Sequence, residues 1–78
     1  MIRVKKILSN ILGVDVVTIT DDMSPQSVER WDSFTGLMLM SELEREFGVS
    51  FDLDDVASIT NVGDIYRVLS KHGVSLEA

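Results

Sequence analysis

The fold is decided by residues 32–47, whose sequence is DSFTGLMLMSELEREF. Apolar side chains recur there three and four residues apart, which places them on one face of a helix. Asp32 and Ser33 are both residue types that favour helix N-caps, and Gly48 follows as a stop signal. We therefore predict a long amphipathic helix that begins at Asp32 or Ser33 and ends at about Phe47. Its buried stripe consists of Gly36, Leu39, Met40, Leu43 and Phe47.

Three other segments have helical patterns. Residues 2–12 carry apolar side chains at the spacing of one buried helix face, and residues 61–71 repeat this pattern. Between the central helix and residues 61–71, residues 54–58 predict one or two helical turns, with Val56 and Ile59 facing inward. The chain thus contains three main helices and a short third one.

The first connection is unusually long. Residues 14–31 are rich in turn-forming types, and a loop of this length is uncommon in a compact domain unless it is functional or packed down by its own side chains. A short strand over residues 16–20 is an alternative, but the sequence offers no second strand to pair with it. We predict an all-α four-helix bundle with a long loop between helices 1 and 2, and a single domain over residues 1–78.

Composition narrows the range of functions. The chain has 13 acidic and 7 basic side chains and a net charge of −6, which disfavours nucleic acid and favours partners with basic surfaces. It has no cysteine, so disulfides and cysteine nucleophiles are excluded. The longest apolar run, residues 37–40, is far shorter than the roughly 18 residues that a membrane span needs. We expect a cytoplasmic monomer that does not insert into membranes.

Little in the sequence suggests catalysis or metal binding. The single histidine, His72, is interpreted as an exposed capping residue near a helix end. The acidic cluster Asp52, Asp54 and Asp55 lacks the glycine and terminal glutamate of a calcium loop and is interpreted as a solvated helix start. No Ser–His or Cys–His pair is evident, so we expect no enzyme activity and no metal site.

One serine stands in a chemically favourable place. Ser33 lies where the long loop meets the N-terminus of the most apolar helix, and that helix end offers free N–H groups and partial positive charge. A phosphate on Ser33 is well placed there, with Asp32 orienting the hydroxyl or helping to hold a metal ion supplied by a modifying enzyme. The residues alone leave the alternative open that Ser33 or Asp32 is only a helix cap and that the apolar residues after them are only core.

A family resemblance bears on this choice. Asp32-Ser33-Phe34 resembles the Asp-Ser-Leu signature of acyl carrier proteins, with phenylalanine in place of leucine, and Glu46-Phe47 resembles the pair that ends their second helix. The resemblance covers residues 2–72 without gaps. Other matching positions are Ile7, Leu8, Leu12, Gly13, Val14, Leu39, Leu43, Glu44, Phe51, Val56, Ile59 and Val62.

The resemblance implies a carrier whose Ser33 bears a 4′-phosphopantetheine arm, with Asp32 assisting attachment. The arm comes from coenzyme A through a phosphopantetheinyl transferase, and acyl groups ride on its terminal thiol as thioesters. Acyl-loading and acyl-processing enzymes with basic docking surfaces are then the partners. The predicted partner face consists of Trp31, Phe34, Leu37, Met38, Glu42 and Glu44. The predicted acyl pocket consists of Leu43, Phe51, Val56, Ile59, Ile65 and Val68.

Several alternatives stay open. Trp31 either packs the loop onto the bundle or borders the arm and contacts partner enzymes. Arg30-Trp31 stands where typical fatty-acid carriers have small residues, which resembles carriers for specialised lipid or polyketide pathways. A carrier of amino acids or peptides is a rival, although the glycine-rich entry to its serine is absent here. An unmodified helical adaptor is a rival from another class.

Overall fold

The structure, a computed structural model, describes residues 2–75, and these form four α-helices without a strand. The helices are α1 (Ile2–Leu12), α2 (Ser33–Phe47), α3 (Leu53–Ser58) and α4 (Val62–Lys71). The predicted all-α bundle with a short third helix is confirmed. None of the helices within residues 2–75 is long and apolar enough to cross a membrane.

Side-chain caps fix where three of the helices begin. Asp32, Asp52 and Asn61 each accept a hydrogen bond from the backbone N–H three residues further on, at 2.9, 2.7 and 2.8 Å. These bonds satisfy N–H groups that have no partner within a helix. Because the caps are local, sequence predicts these boundaries well: α3 begins one residue earlier than expected, and α4 begins directly after its predicted cap.

Gly48 ends α2 in the left-handed conformation, with φ at 67° and its N–H donating to Glu44 O. A side chain in this conformation costs about 1 kcal/mol, so we expect Gly48→Ala to lower the free energy of unfolding by that amount. Gly36 is the matched control, because it lies inside α2 with ordinary helical geometry. Gly36→Ala should instead stabilise the protein by about 0.5–1 kcal/mol. Urea unfolding measures both, and equal effects would contradict the assignment of Gly48 as the helix end.

The core is formed by one buried stripe from each long helix, closed by side chains of the loop. Leu8, Leu43 and Ile65 are examples from α1, α2 and α4, and each is fully buried. At this burial, an apolar side chain contributes roughly 1.5–3 kcal/mol relative to its exposed state. The other members of the core cluster are Val4, Leu12, Ile19, Val28, Trp31, Leu39, Met40, Val62 and Leu69.

The long loop is packed against the bundle. It contains a 3-10 turn at Val16–Thr18, so the alternative of a strand in this region is wrong. Further along, the carbonyls of Asp21 and Met23 accept hydrogen bonds from the N–H groups of Gly63 and Val62, at 2.8 and 2.9 Å. These bonds attach the loop to the start of α4. The loop therefore has a fixed path from α1 to the start of α2.

An ionic cluster around the buried Asp55 joins α3 to the end of α4. Asp55 is only 1% exposed, and its two oxygens lie 2.7 Å from Lys71 Nζ and 2.7 Å from His72 Nε2. The ring of His72 also lies against Phe51, with 5.6 Å between ring centroids. The interpretation of Asp55 as a solvated residue was therefore wrong, and so was that of His72 as an exposed one. Asp52 and Asp54 are exposed, as expected.

Candidate functional site

Ser33 is the first residue of α2, directly after the capping residue. Its side chain is exposed, and no group within residues 2–75 forms a hydrogen bond with its hydroxyl. The N-terminal end of a helix carries partial positive charge, which favours a negatively charged substituent. The hydroxyl is therefore open to solvent and positioned to carry an anionic group.

Asp32 is the N-cap of α2, which settles which of the two residues caps the helix. Its Oδ1 accepts from Thr35 N–H at 2.9 Å, and its own N–H donates to Thr35 Oγ1 at 2.9 Å. The first of these bonds is the main reason that the pKa of Asp32 lies below its ordinary value. The carboxylate is therefore charged at neutral pH. Oδ2 accepts no hydrogen bond from any residue in the described part of the chain.

A cavity of about 310 Å³ opens beside Ser33, between the start of α2 and α3. The chain contributes apolar side chains from both helices and the edge of the buried tryptophan. The lining residues are Trp31, Ser33, Gly36, Leu37, Met40, Val56 and Ile59. The Ser33 side chain thus borders a mainly apolar space.

Exposed apolar side chains lie on α2 and α3, the two helices that line the cavity, and we call them the apolar rim. Phe34 is 72% exposed and Leu37 is 66% exposed, and both follow Ser33 on the first two turns of α2. Leu53 and Val56 on α3 are also exposed. Apolar side chains concentrated in this way are typical of surfaces that contact another protein.

The predicted partner face is only partly continuous in the structure. Phe34 and Leu37 lie on the rim, whereas Met38 and Glu42 line a separate groove of about 270 Å³ between α1 and α2. Two predicted members lie elsewhere. Trp31 is 5% exposed, so it packs the loop onto the core. The Glu44 carboxylate turns toward the α2–α3 link, where it accepts a hydrogen bond from Phe51 N–H at 2.6 Å.

The predicted acyl pocket is also divided. Val56 and Ile59 line the cavity beside Ser33, although Val56 is more exposed than the inward position expected for it. Leu43, Ile65 and Val68 are buried away from that cavity, and half-buried Phe51 packs against the core from the α2–α3 link. Besides Ser33 itself, the residues of the cavity that the sequence did not assign to a pocket are Trp31, Gly36, Leu37 and Met40.

Gly36 is the one feature of the sequence that pointed to a space at this part of α2. A glycine in the middle of a strong helical pattern is unfavourable, which suggests a packing or functional reason for it. A methyl group at this position would lie 3.7 Å from Trp31 Nε1, so it would fit in ordinary contact but occupy the space beside the indole. The glycine keeps the space between α2 and the indole open.

Comparisons with known proteins agree with this geometry. A family model described as a phosphopantetheine attachment site matches residues 3–69. The acyl carrier protein of Thermotoga maritima is 36% identical over 69 residues, which cover 88% of this chain and 85% of that protein. A solved structure of a candidate acyl carrier protein from Mycobacterium tuberculosis superposes with a TM-score of 0.80 at 27% identity, covering 90% of this chain and 93% of that one. The chain therefore belongs to the acyl carrier protein family, whose attached cofactor is 4′-phosphopantetheine.

Proposed function

We propose that this protein carries acyl groups as thioesters on a 4′-phosphopantetheine arm attached to Ser33 Oγ, and presents them to partner enzymes. The observation that carries the proposal is the state of this hydroxyl: exposed, unpaired within residues 2–75 and at the N-terminal end of α2. The carrier has no catalytic role of its own in this account. The chemistry on the cargo belongs to its partners.

The residues present fit such an arm. The phosphate is diester-linked and anionic, and the helix terminus offers partial positive charge at Ser33. The cavity that begins at Ser33 offers apolar contact to whatever is attached there. When attached, the arm supplies a terminal thiol, which the cysteine-free chain lacks.

Attachment is a phosphoryl transfer from coenzyme A. Ser33 Oγ forms a bond to the phosphorus that bears the pantetheine, the bond from this phosphorus to 3′,5′-ADP breaks, and the hydroxyl proton passes to a base of the transferase. We propose that Asp32 has two roles in this step. Oδ1 holds the start of the helix, and the unpaired Oδ2 helps to hold the divalent cation that the transferase supplies.

The proposed partners are a phosphopantetheinyl transferase and enzymes that load and process acyl groups. The net charge of −6 favours basic partner surfaces through long-range attraction, while the apolar rim provides close contact. We propose a cytoplasmic monomer that serves fatty-acid, polyketide or specialised lipid synthesis. Arg30-Trp31 before the serine favours the specialised pathways.

Loading of the arm tests this proposal. The purified chain is incubated with coenzyme A, Mg²⁺ and a broad-specificity transferase, and its intact mass is measured. We expect the native chain to gain one phosphopantetheine and Ser33→Ala to gain none, because the accepting oxygen is gone. Ser41→Ala is the matched control, since Ser41 is also an exposed serine of α2. It should load like the native chain.

The outcomes separate the rival functions. A native chain that gains no arm, under conditions that load another carrier in the same tube, contradicts the proposal and favours an unmodified adaptor. Transfer to the Ser33→Ala variant contradicts the assignment of the residue. If the loaded chain accepts amino acids from adenylating enzymes but no acyl groups, it is an aminoacyl carrier.

A further inference from the structure

We propose that the cavity beside Ser33 holds the pantoyl unit, the first segment of the pantetheine arm, and that Trp31 Nε1–H donates a hydrogen bond to an oxygen of this unit. The inference rests on the proposed attachment at Ser33. It gives Trp31 a role beyond packing: the indole holds the arm against the carrier when no partner enzyme takes it.

The first observation is a donor without an acceptor. Trp31 is 95% buried, yet no atom of residues 2–75 accepts a hydrogen bond from its indole N–H. The nitrogen itself is accessible. Within residues 2–75, the one side-chain polar atom that is both fully enclosed and without a partner is Tyr66 Oη. An indole N–H that reaches solvent donates to water, and a bound group with an oxygen acceptor can take the place of that water. This one is placed to receive its partner from outside the chain.

The second observation is where that donor lies. Trp31 and Gly36 both line the cavity, and Nε1 is the nearest atom to a methyl group built on Gly36, at 3.7 Å. The N–H edge of the ring therefore borders the space that the missing side chain of Gly36 leaves open. The same cavity is lined by Ser33, so a group attached there reaches it first with its proximal end.

The third observation is the chemistry of the remaining lining. Apart from Ser33, the side chains around the donor are Leu37, Met40, Val56 and Ile59. A mainly apolar space with an indole donor at its side suits a ligand that places methyl groups beside an oxygen acceptor. The pantoyl unit has this composition, with two methyl groups on one carbon between the phosphate ester and a carbon that bears a hydroxyl and an amide carbonyl. A plain alkyl cargo offers the indole no acceptor.

The size of the cavity agrees with partial rather than complete enclosure of the arm. Its volume of about 310 Å³ equals roughly ten water molecules and lies at the lower end of ligand pockets. The distal part of the arm, with the thiol and its cargo, then remains outside. This arrangement leaves the thioester available to partner enzymes.

The single tryptophan makes the test direct, because a ¹⁵N-labelled chain gives one indole cross-peak in an NMR spectrum. Spectra are recorded before and after transfer of the arm from coenzyme A, with loading confirmed by mass. We expect the indole proton to move downfield on loading and its exchange with solvent to slow about fivefold, equivalent to about 1 kcal/mol. Ser33→Ala treated in the same mixture should keep its initial spectrum.

Gly36→Ala is the variant that isolates the cavity. Its methyl group stands in ordinary contact with Nε1, and alanine favours the helix, so the variant should fold and load. Its indole signal should not move on loading. In the loaded native chain, the two pantoyl methyl signals should show nuclear Overhauser contacts to Val56 and Ile59, and Gly36→Ala should lack them.

A native chain that carries the arm by mass but keeps its indole signal unchanged overturns the inference and leaves the proposed function intact. A signal that moves only after an acyl group is added assigns the cavity to the cargo and also overturns it. A native chain that takes no arm removes the proposed function and the inference together.

Discussion

Replacing Asp55 by alanine is expected to destabilise the protein more than replacing any other carboxylate within residues 2–75. The reason is its position, because Asp55 is the one charged side chain that is buried there, and it binds Lys71 and His72 at the end of α4. It also accepts from Asp52 N–H at 3.2 Å in the cap of α3. The substitution breaks the ionic link between α3 and α4 and weakens the start of α3.

Asp54 provides the matched control, since it is the exposed neighbour of Asp55 on the same helix. Asp54→Ala should change the free energy of unfolding by no more than about 0.5 kcal/mol, as substitutions on an open surface do. Urea unfolding followed by circular dichroism measures both variants. Equal midpoints for Asp54→Ala and Asp55→Ala would show that the ionic cluster around Asp55 contributes no stability.

Acid should remove the same contribution in the native chain. The Lys71 ammonium, and after it the His72 ring, hold the pKa of Asp55 well below its usual range. The unfolded chain therefore binds the proton more tightly, so this stability is complete above the ordinary value near pH 4 and is lost as the pH falls further. Asp55 in turn raises the pKa of Lys71. The stability that comes from this second shift is complete below about pH 10 and is lost as the pH rises further. The stability difference between native chain and Asp55→Asn should narrow below about pH 4.

Leu43→Ala should cause the second large loss. Leu43 is fully buried in the middle of α2, and truncation of such a side chain costs about 2–5 kcal/mol. A folded chain of 78 residues has only about 4–12 kcal/mol of stability in total. The variant should therefore unfold at a much lower temperature and urea concentration than the native chain.

Leu37→Ala is the control on the same helix, because Leu37 is exposed on the rim. It should retain nearly the full stability of the native chain, within about 0.5 kcal/mol. If thermal unfolding shows equal losses for the two variants, the assignment of one helix face to the core and the other to the rim is contradicted.

The helices were predictable from the sequence because their signals are local. The apolar spacing of α2, the cap at Asp32 and the stop at Gly48 all lie within one segment. The same periodicity also predicts which of two neighbouring methionines is buried. Met40 lies on the buried stripe and Met38 on the exposed side, as helical periodicity requires.

Contacts between distant segments were not predictable in this way. Asp55 meets Lys71 and His72 only because α3 packs beside the end of α4, sixteen and seventeen residues further along. Spacing within a six-residue helix carries no information about such partners. The Glu44 carboxylate likewise turns to Phe51 N–H because the α2–α3 link folds back toward it.

The site was predictable in its chemistry but not in its shape. Ser33 was the candidate attachment residue because of its place at a helix start and the resemblance of Asp32-Ser33-Phe34 to the family signature. The cavity beside it depends on how the loop directs Trp31 under α2, and nothing in the local sequence fixes the direction of an indole ring. The role of Gly36 as a wall of this cavity follows from the position of the Trp31 ring next to it.

The central claim is that the arm sits on Ser33, and fragmentation of the loaded chain tests it most directly. Cleavage after Arg30 and Arg45 releases residues 31–45, which contain three hydroxyl side chains, those of Ser33, Thr35 and Ser41. Tandem mass spectrometry of this peptide should place the whole added mass on Ser33. An added mass on Thr35, on Ser41 or outside this peptide would contradict the account.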